Sequence, residues 1–205
     1  MENELKQLVG KNEKIMYEGK PNKKCFIFES IFNPLLPFAI LWGILDLGII
    51  GSIISTFDSN EESPFFLIPF FLFHLMPVWL YLFGIIFTFR KYRNTYYIVT
   101  DRGVYVSGGI FSKTFNTKPF QEMSRVNLHR GIFDQTFNVG DVVITTNQFN
   151  QKGVPINMTI NSISNYTEVF NLVKKLQTDI YTDSMYPNDM RPKENHGYNT
   201  EYKGL

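Results

Sequence analysis

Two long apolar runs constrain this 205-residue chain more than any other feature of its sequence. The first, residues 34–54, contains one charged residue, Asp46, and the second, residues 64–89, contains no Asp, Glu, Lys or Arg. Each run reaches the roughly 20 apolar residues that a bilayer-spanning helix requires. The stretch Ser55–Ser63 between them is polar and acidic, as expected of a short turn in water. The sequence therefore predicts a transmembrane helical hairpin with spans at 34–54 and 64–89.

A cleaved secretory signal peptide is the competing interpretation of the first run. Signal peptides place a short, positively charged leader directly before their apolar stretch. Here the run is preceded by residues 1–33, which contain five glutamates. The sequence therefore favours a span that is retained in the mature protein.

The distribution of basic residues predicts the orientation of the hairpin. Lysines and arginines close to a span tend to remain in the cytoplasm. The connecting loop has no basic residue, whereas basic residues lie just before the first span and just after the second. They are Lys20, Lys23 and Lys24 before the first span and Arg90, Lys91 and Arg93 after the second. We therefore expect a multi-pass protein of the cell membrane with both termini cytoplasmic.

Two polar residues within the predicted spans, Asp46 and His74, are candidates for function because polar groups are costly in a bilayer. In antiparallel helices they would lie at similar depth. Three interpretations remain open: a structural pair or oligomer contact, exposure to the interface by local bending, and a proton or ion pathway. Pro69 and Pro77 are expected to bend the second span, which membrane helices tolerate.

After Arg93 the pattern changes to short β-type runs separated by turn residues. Thr95–Thr100 and Val104–Ser107 flank the turn at Asp101, and alternating or β-branched runs follow. These later runs are residues 124–128, 141–146 and 156–161. Several strands with one buried face predict a β-barrel or sandwich.

The last predicted element is an amphipathic helix that begins after Asn165, where the sequence has the form of a capping box. Its apolar stripe contains Val169, Val173, Leu176 and Ile180 at helical spacing. Packing on the sheet is the favoured role of this stripe, and docking of a separate partner helix is the alternative. The domain is thus expected to span residues 90–180. The tail, residues 181–205, lacks periodicity and is predicted to be disordered.

Four segments of the chain match a known pattern: Tyr97–Ile110, Pro119–Val126 and Phe137–Ile144, with Glu13–Pro21 upstream of the first span. Through them the chain resembles the bacterial PH-domain membrane proteins of the YdbS type, which have two transmembrane helices and a PH-like domain. The resemblance implies an α+β membrane protein in which a helical hairpin is followed by a small, strongly bent β-barrel capped by a C-terminal α-helix. It brings no catalytic residues. Gln135 and Asn138 depart from the family pattern, where an arginine and a glycine are expected.

Reactive side chains are sparse and separated in the sequence. The three histidines, His74, His129 and His196, fall in a span, at a strand end and in the predicted tail, and Cys25 is the single cysteine. No catalytic constellation, cofactor motif or metal-ligand spacing is present in this pattern. The sequence predicts no enzyme, no cofactor and no metal site. A net charge of +1 gives no reason to expect a nucleic-acid partner.

The basic residues that follow the second span suggest a contact with the membrane surface. Arg90, Lys91 and Arg93 must lie near the anionic cytoplasmic leaflet if the topology is right. They either determine topology alone or also make weak contact with anionic lipids. The first hairpin loop offers only Arg102 beside Asp101, which argues against specific phosphoinositide recognition.

The favoured function is a non-catalytic, membrane-anchored PH-like adaptor or scaffold on the cytoplasmic face, which binds protein partners or self-associates. The alternative is a small transport or envelope-stress component in which the hairpin, with Asp46 and His74, does the work.

Overall fold

The computed structural model describes residues 2–56 and 67–185, with side chains described as far as Tyr181. Within these residues there are seven α-helices and seven β-strands. The helices are α1 (Glu2–Leu8), α2 (Lys23–Ile31), α3 (Leu35–Thr56), α4 (Ile68–His74), α5 (Met76–Asn94), α6 (Ile132–Phe137) and α7 (Tyr166–Met185). The strands are β1 (Ile15–Gly19), β2 (Tyr96–Thr100), β3 (Gly103–Gly108), β4 (Thr114–Pro119), β5 (Met123–His129), β6 (Gly140–Phe149) and β7 (Pro155–Ile163).

The chain divides into two compact units. We call Met1–Phe26 together with Lys91–Leu205 the sheet unit, and Ile27–Arg90 the helical unit. The sheet unit is therefore built from both ends of the chain, whereas the sequence predicted that residues 1–33 form a separate segment.

The first sheet of the sheet unit is antiparallel, with strand order β1-β2-β3-β4. Thr100 closes the predicted β2–β3 hairpin because its Oγ1 accepts hydrogen bonds from the backbone N–H groups of Arg102 and Gly103, both at 3.1 Å. This is the local side-chain contact that favours threonine at a turn. Strand β1 was not predicted as a strand. It pairs with β2, with Glu18 opposite Ile98.

The second sheet is also antiparallel, with order β5-β6-β7, and α7 packs against it. Alternating residues of both sheets point into one apolar core, which α7 closes with Val169, Val173 and Leu176. Phe170 and Leu172 pack at its margin. The predicted strands at 124–128, 141–146 and 156–161 and the predicted packing role of the helix are confirmed.

Strand β2 is buried on both faces, which differs from the prediction of one buried face. All five of its residues are buried. Tyr97 and Val99 face the main core, while Tyr96 and Ile98 face a second cluster. That cluster contains Leu5 of α1, which is fully buried. Helix α1 thus covers the face of the sheet that the sequence pattern left to solvent.

The helical unit contains α3, α4 and most of α5. Helix α3 has 22 residues and a mean hydropathy of 2.0, and it is long and apolar enough to cross a bilayer. Helices α4 and α5 meet the same test only together, and they are bent by 59° at the break between them. The described residues therefore contain one candidate span, or two if the bent pair is counted as one.

The break between α4 and α5 has an identifiable cause. Pro77 has no backbone N–H and cannot donate to the carbonyl of the residue four positions earlier, so the helix cannot continue straight through it. Val78 instead donates to the carbonyl of Leu75 at 2.9 Å. Pro69 was expected to bend the span as well. It lies in the first turn of α4, a position where helices tolerate proline.

Three further expectations stay predictions, are corrected or fall outside the described residues. The strands in the described part of the chain form two sheets without a closed barrel, so the small, strongly bent barrel that the resemblance implied stays a prediction. Helix α7 continues to Met185, five residues beyond the predicted end at Ile180. The predicted loop between the spans lies outside the described residues except for Ser55 and Thr56, which belong to α3, and residues 186–205 lie outside them as well.

Candidate functional site

The structure brings Asp46 of α3 and His74 of α4 into contact. The Nδ1 atom of His74 lies 2.7 Å from Oδ1 of Asp46, within hydrogen-bonding distance. Asp46 is fully buried, and its second oxygen, Oδ2, has no hydrogen-bond partner among the described residues. The pair thus combines an imidazole with a carboxylate that retains unused acceptor capacity.

The surroundings of the Asp46–His74 pair are aromatic. The imidazole stacks on Phe70 with a centroid distance of 5.1 Å and lies 5.1 Å from the ring of Trp42. The indole N–H of Trp42 donates to the backbone carbonyl of His74 at 2.7 Å. Trp42 therefore holds the end of α4 in place, and with it the backbone that carries the imidazole.

Both tryptophans of the chain donate to carbonyls beside the α4–α5 break. Trp79 Nε1 donates to the carbonyl of Leu72 at 3.2 Å, just as Trp42 Nε1 does to that of His74. An unpaired carbonyl in an apolar environment costs roughly 1–3 kcal/mol. The two indoles offset this cost, so the break is a stable feature of the helical unit.

The three basic residues predicted at the membrane surface lie at the C-terminal end of α5. Arg90, Lys91 and Arg93 are all exposed. Lys91 Nζ lies 5.7 Å from the ring centroid of Phe26, within the range of a cation–π contact. Positive charge near a helix C-terminus is also favourable because it opposes the helix dipole. These residues therefore have a structural role as well as any role at a membrane.

The end of α5 is fixed to β3 inside the sheet unit. Ser107 Oγ donates to the carbonyl of Asn94 at 2.9 Å, and Asn94 Nδ2 donates to the carbonyl of Gly109 at 3.0 Å. Thr95 Oγ1 also donates back to the carbonyl of Lys91 at 2.8 Å. These hydrogen bonds attach the last turn of the helix to β3 and to the turn after it, and Lys91 and Arg93 lie exposed on this helical turn.

A second polar cluster was missed because the short helix α6, which lies between its members in the chain, was not predicted. His129, at the end of β5, lies next to Asp141, at the start of β6, with 3.9 Å between Nδ1 and Oδ2. Asp134 of α6 completes the group, and the potential ligand atoms of the three residues lie within 4.8 Å of one another. A short helix between two strands is the signal that would have placed Asp134 beside the other two.

The comparison with protein families decides the identity of the fold. The family described as the bacterial PH domain matches residues 38–177, more than half of the chain. The chain belongs to the bacterial PH domain family. Domains of this family are generally non-catalytic, and membership supports a domain of the scaffold or adaptor type. No curated protein and no solved structure matches the chain.

The PH domain match begins within α3 and ends within α7. It therefore excludes α1 and β1, although both belong to the sheet unit. The departure at Asn138 is also explained by the structure. Asn138 ends α6 in the left-handed conformation, with φ of 51°, and asparagine is the residue other than glycine that adopts this conformation most readily.

Proposed function

We propose that this protein is a membrane-anchored adaptor of the YdbS type, in which the helical unit tethers a PH-like domain to the cytoplasmic face of the cell membrane. The PH-like domain binds protein partners or a second copy of the chain, and it performs no catalysis. The family supports the adaptor role, and the composition of the helices supports the anchor.

The observation that best supports a membrane anchor is the exposed apolar surface of α3. Only 11% of the most apolar 18-residue stretch of α3 is buried among the described residues. Large side chains such as Leu41, Ile44 and Leu47 are more than half exposed. A helix that is apolar on all sides must be buried in a protein core or in a membrane. The described residues leave most of α3 uncovered, and in this proposal the bilayer covers it.

The second span is the bent pair of α4 and α5. A bend of this kind is tolerated in a bilayer where neighbouring groups satisfy the freed carbonyls, and the two tryptophan indoles do so here. Two spans return the chain to the side on which it began. The basic residues outside both spans then keep the termini in the cytoplasm.

Extraction and labelling test the anchor and its orientation together. The protein should remain in the membrane pellet after washing with carbonate or high salt. In a Cys25→Ser background, Ser59→Cys should react with an impermeant thiol reagent in intact cells, whereas Asn147→Cys should react only after lysis. Labelling of Asn147→Cys alone in intact cells, or release by carbonate, would contradict the proposal.

Site-specific photo-crosslinking tests the adaptor role in living cells. Phe149 is 65% exposed at the end of β6 and is a suitable position for a photoreactive phenylalanine analogue. Adducts heavier than the 23.9 kDa chain are expected, and an adduct of twice that mass identifies self-association. The same analogue at Phe120, which is 2% exposed, is the control and should give no adducts. Absence of adducts at Phe149 and at other exposed positions of the sheet unit would count against an adaptor.

A second candidate function is transport through the helical unit, and the unpaired oxygen of Asp46 favours it. A proton-coupled device would lose activity when Asp46 and His74 are replaced, whereas an adaptor would not. The double variant Asp46→Asn, His74→Gln keeps similar side-chain volumes and should retain the crosslinks made by the sheet unit. Loss of ion flux in vesicles, with the crosslinks intact, would favour transport.

A further inference from the structure

We propose that His129, Asp134 and Asp141 form a binding site for a divalent transition-metal cation of the Zn²⁺ type in the connection between β5 and β6. Their potential ligand atoms lie within 4.8 Å of one another. The three residues come from the end of a strand, a helix and the start of the next strand, so a bound ion would clamp this connection.

The separations suit a small metal ion. Zn²⁺ binds nitrogen and oxygen ligands at about 2.0–2.2 Å in tetrahedral geometry, which places neighbouring ligand atoms about 3.4 Å apart. His129 Nδ1 and Asp141 Oδ2 are 3.9 Å apart. The side chain of His129 is 67% exposed and can rotate to close this difference. The other members are held by the fold.

Backbone hydrogen bonds orient both carboxylates. Asp134 Oδ2 accepts from the N–H of Gly131 at 2.7 Å, and Asp141 Oδ1 accepts from the N–H of Ser162 at 2.7 Å. One oxygen of each carboxylate is thereby fixed. The second oxygen of Asp141, Oδ2, faces His129, and the second oxygen of Asp134, Oδ1, accepts the weak hydrogen bond of the Cys25 thiol, which a bound ion would replace. Bonds of this kind orient the ligands in known metal sites. Cys25 Sγ lies 3.5 Å from Asp134 Oδ1, on the buried side of the cluster.

The charge of the two carboxylates is a second, independent observation that favours a bound cation. Asp134 is 1% exposed and Asp141 is partly buried. Among the described residues, Asp141 pairs with His129, and no lysine or arginine forms an ion pair with either carboxylate. The guanidinium of Arg130 donates instead to the carbonyl of Val139 and lies over the ring of Tyr166. Two neighbouring carboxylates in a site of low dielectric are stabilised by a cation.

The ligand types select the class of cation. Imidazole suits zinc and its neighbours, whereas Mg²⁺ and Ca²⁺ prefer sites built from oxygen alone. Three protein ligands leave a fourth position for water. The ion would hold the end of β5 to the start of β6 and fix α6, which carries the exposed side chain of Ile132.

Metal titration of the full chain tests the site. The protein is purified in detergent without a polyhistidine tag, stripped with EDTA and titrated with Zn²⁺ by calorimetry and with Co²⁺ by visible absorption. One ion per chain is expected, with a Co²⁺ spectrum typical of tetrahedral coordination and a higher melting temperature with Zn²⁺. Mg²⁺ should neither compete nor raise the melting temperature.

Variants assign the ligands. His129→Gln and Asp141→Asn should each weaken binding at least tenfold, whereas His196→Gln, the matched histidine control, and Cys25→Ser should bind like the unmodified chain. His129→Gln alters an exposed side chain, so its circular dichroism and metal-free melting should be unchanged. Failure of the unmodified chain to bind, undiminished binding by both ligand variants, or loss of binding in Cys25→Ser alone would overturn the proposed ligand set.

Discussion

Gly109 adopts a backbone conformation that other residues rarely accept. Its φ is 110°, and a Cβ atom built on it would collide with the carbonyl oxygen of Ser112. Gly108, directly before it, has neither constraint, since a Cβ there would meet nothing within 4 Å. The two adjacent glycines are therefore not equivalent.

Gly109→Ala should destabilise the sheet unit by about 1–3 kcal/mol because it adds backbone strain to a steric clash. Gly108→Ala is the matched control and should leave the melting temperature nearly unchanged or slightly higher, since alanine reduces the conformational entropy of the unfolded chain. Thermal melting of both variants in detergent measures the difference. Equal melting temperatures would show that the β3–β4 turn does not depend on the conformation of Gly109.

Tyr105 makes the stability of the sheet unit sensitive to alkaline pH. Burial raises the pKa of Tyr105 from 10.0 to about 12, and the hydrogen bond of its hydroxyl to Glu13 acts in the same direction. The folded state therefore holds a proton that the unfolded state releases. The contribution of Tyr105 to the free energy of unfolding is fully present below pH 10. It falls as the pH rises from 10 towards 12, by up to about 1.4 kcal/mol per pH unit for one group.

Tyr105→Phe should reduce the slope of melting temperature against pH between 10 and 12. The slope should not vanish, because burial also raises the pKa of Tyr96 to about 12. Thr100→Val is the control, since it removes another hydrogen bond to Glu13 but no titrating group. It should lower stability at every pH and keep the alkaline slope. An unaltered slope in Tyr105→Phe would contradict the assignment.

At the level of secondary-structure elements, α7 closes the core through one face. Leu176 is 4% exposed and belongs to the core cluster, whereas Asn171 on the same helix is exposed. Gln177 also donates to the carbonyl of Met123 at 2.8 Å, which fixes the helix against the start of β5. The helix is thus required for the core of the domain.

Leu176→Asp should cost several kcal/mol because it removes a buried side chain and places a carboxylate in an apolar site. This cost is a large fraction of the stability of a small domain, so the sheet unit should unfold or melt far earlier. Asn171→Asp introduces the same charge at an exposed position and should shift stability by less than about 0.5 kcal/mol. Circular dichroism during heating distinguishes the two, and similar melting of both variants would refute the packing of α7.

The whole molecule depends on its first residues more than the sequence indicated. Strand β1 pairs with β2, and Leu5 of α1 covers Tyr96, Ile98 and Tyr105. A chain reduced to residues 91–185 would expose this second cluster and the edge of β2. We therefore expect residues 1–26 together with residues 91–185 to fold as an independent unit.

Excision of residues 27–90 tests this unit. The rings of Phe26 and Tyr92 are 6.0 Å apart, so a short Gly/Ser linker can join residue 26 to residue 91. The fusion should be soluble, β-rich and cooperative in melting, whereas residues 91–185 alone should aggregate or melt at a lower temperature. Equal stability of the two proteins would show that α1 and β1 contribute little.

The fusion, extended back to Arg90, also tests the proposed lipid contact. It should bind anionic vesicles weakly, with an affinity that falls as salt rises, because exposed charges are screened within about 8 Å at physiological ionic strength. Replacing Arg90, Lys91 and Arg93 with glutamine should abolish binding, whereas Arg102→Gln should change it little. Tight, salt-resistant binding of one phosphoinositide that requires Arg102 would instead indicate a lipid receptor.

Features set by local chemistry were predictable from the sequence. The apolar run around α3, the turn between β2 and β3 and the stripe of α7 depend on composition, turn residues and periodicity within a short window. Family resemblance added the order of these elements. Each of these predictions concerns residues that are close in the chain.

The tertiary structure decided what depends on distant partners. Strand β1 lies about 80 residues before β2, and nothing in its own five residues specifies that pairing. The burial of both faces of β2 and the contact between Asp46 and His74 arise in the same way, whereas His129, Asp134 and Asp141 are gathered by α6, a short helix that was not predicted. A sequence pattern records which side chains seek a partner, but only the folded chain determines which partner each one meets.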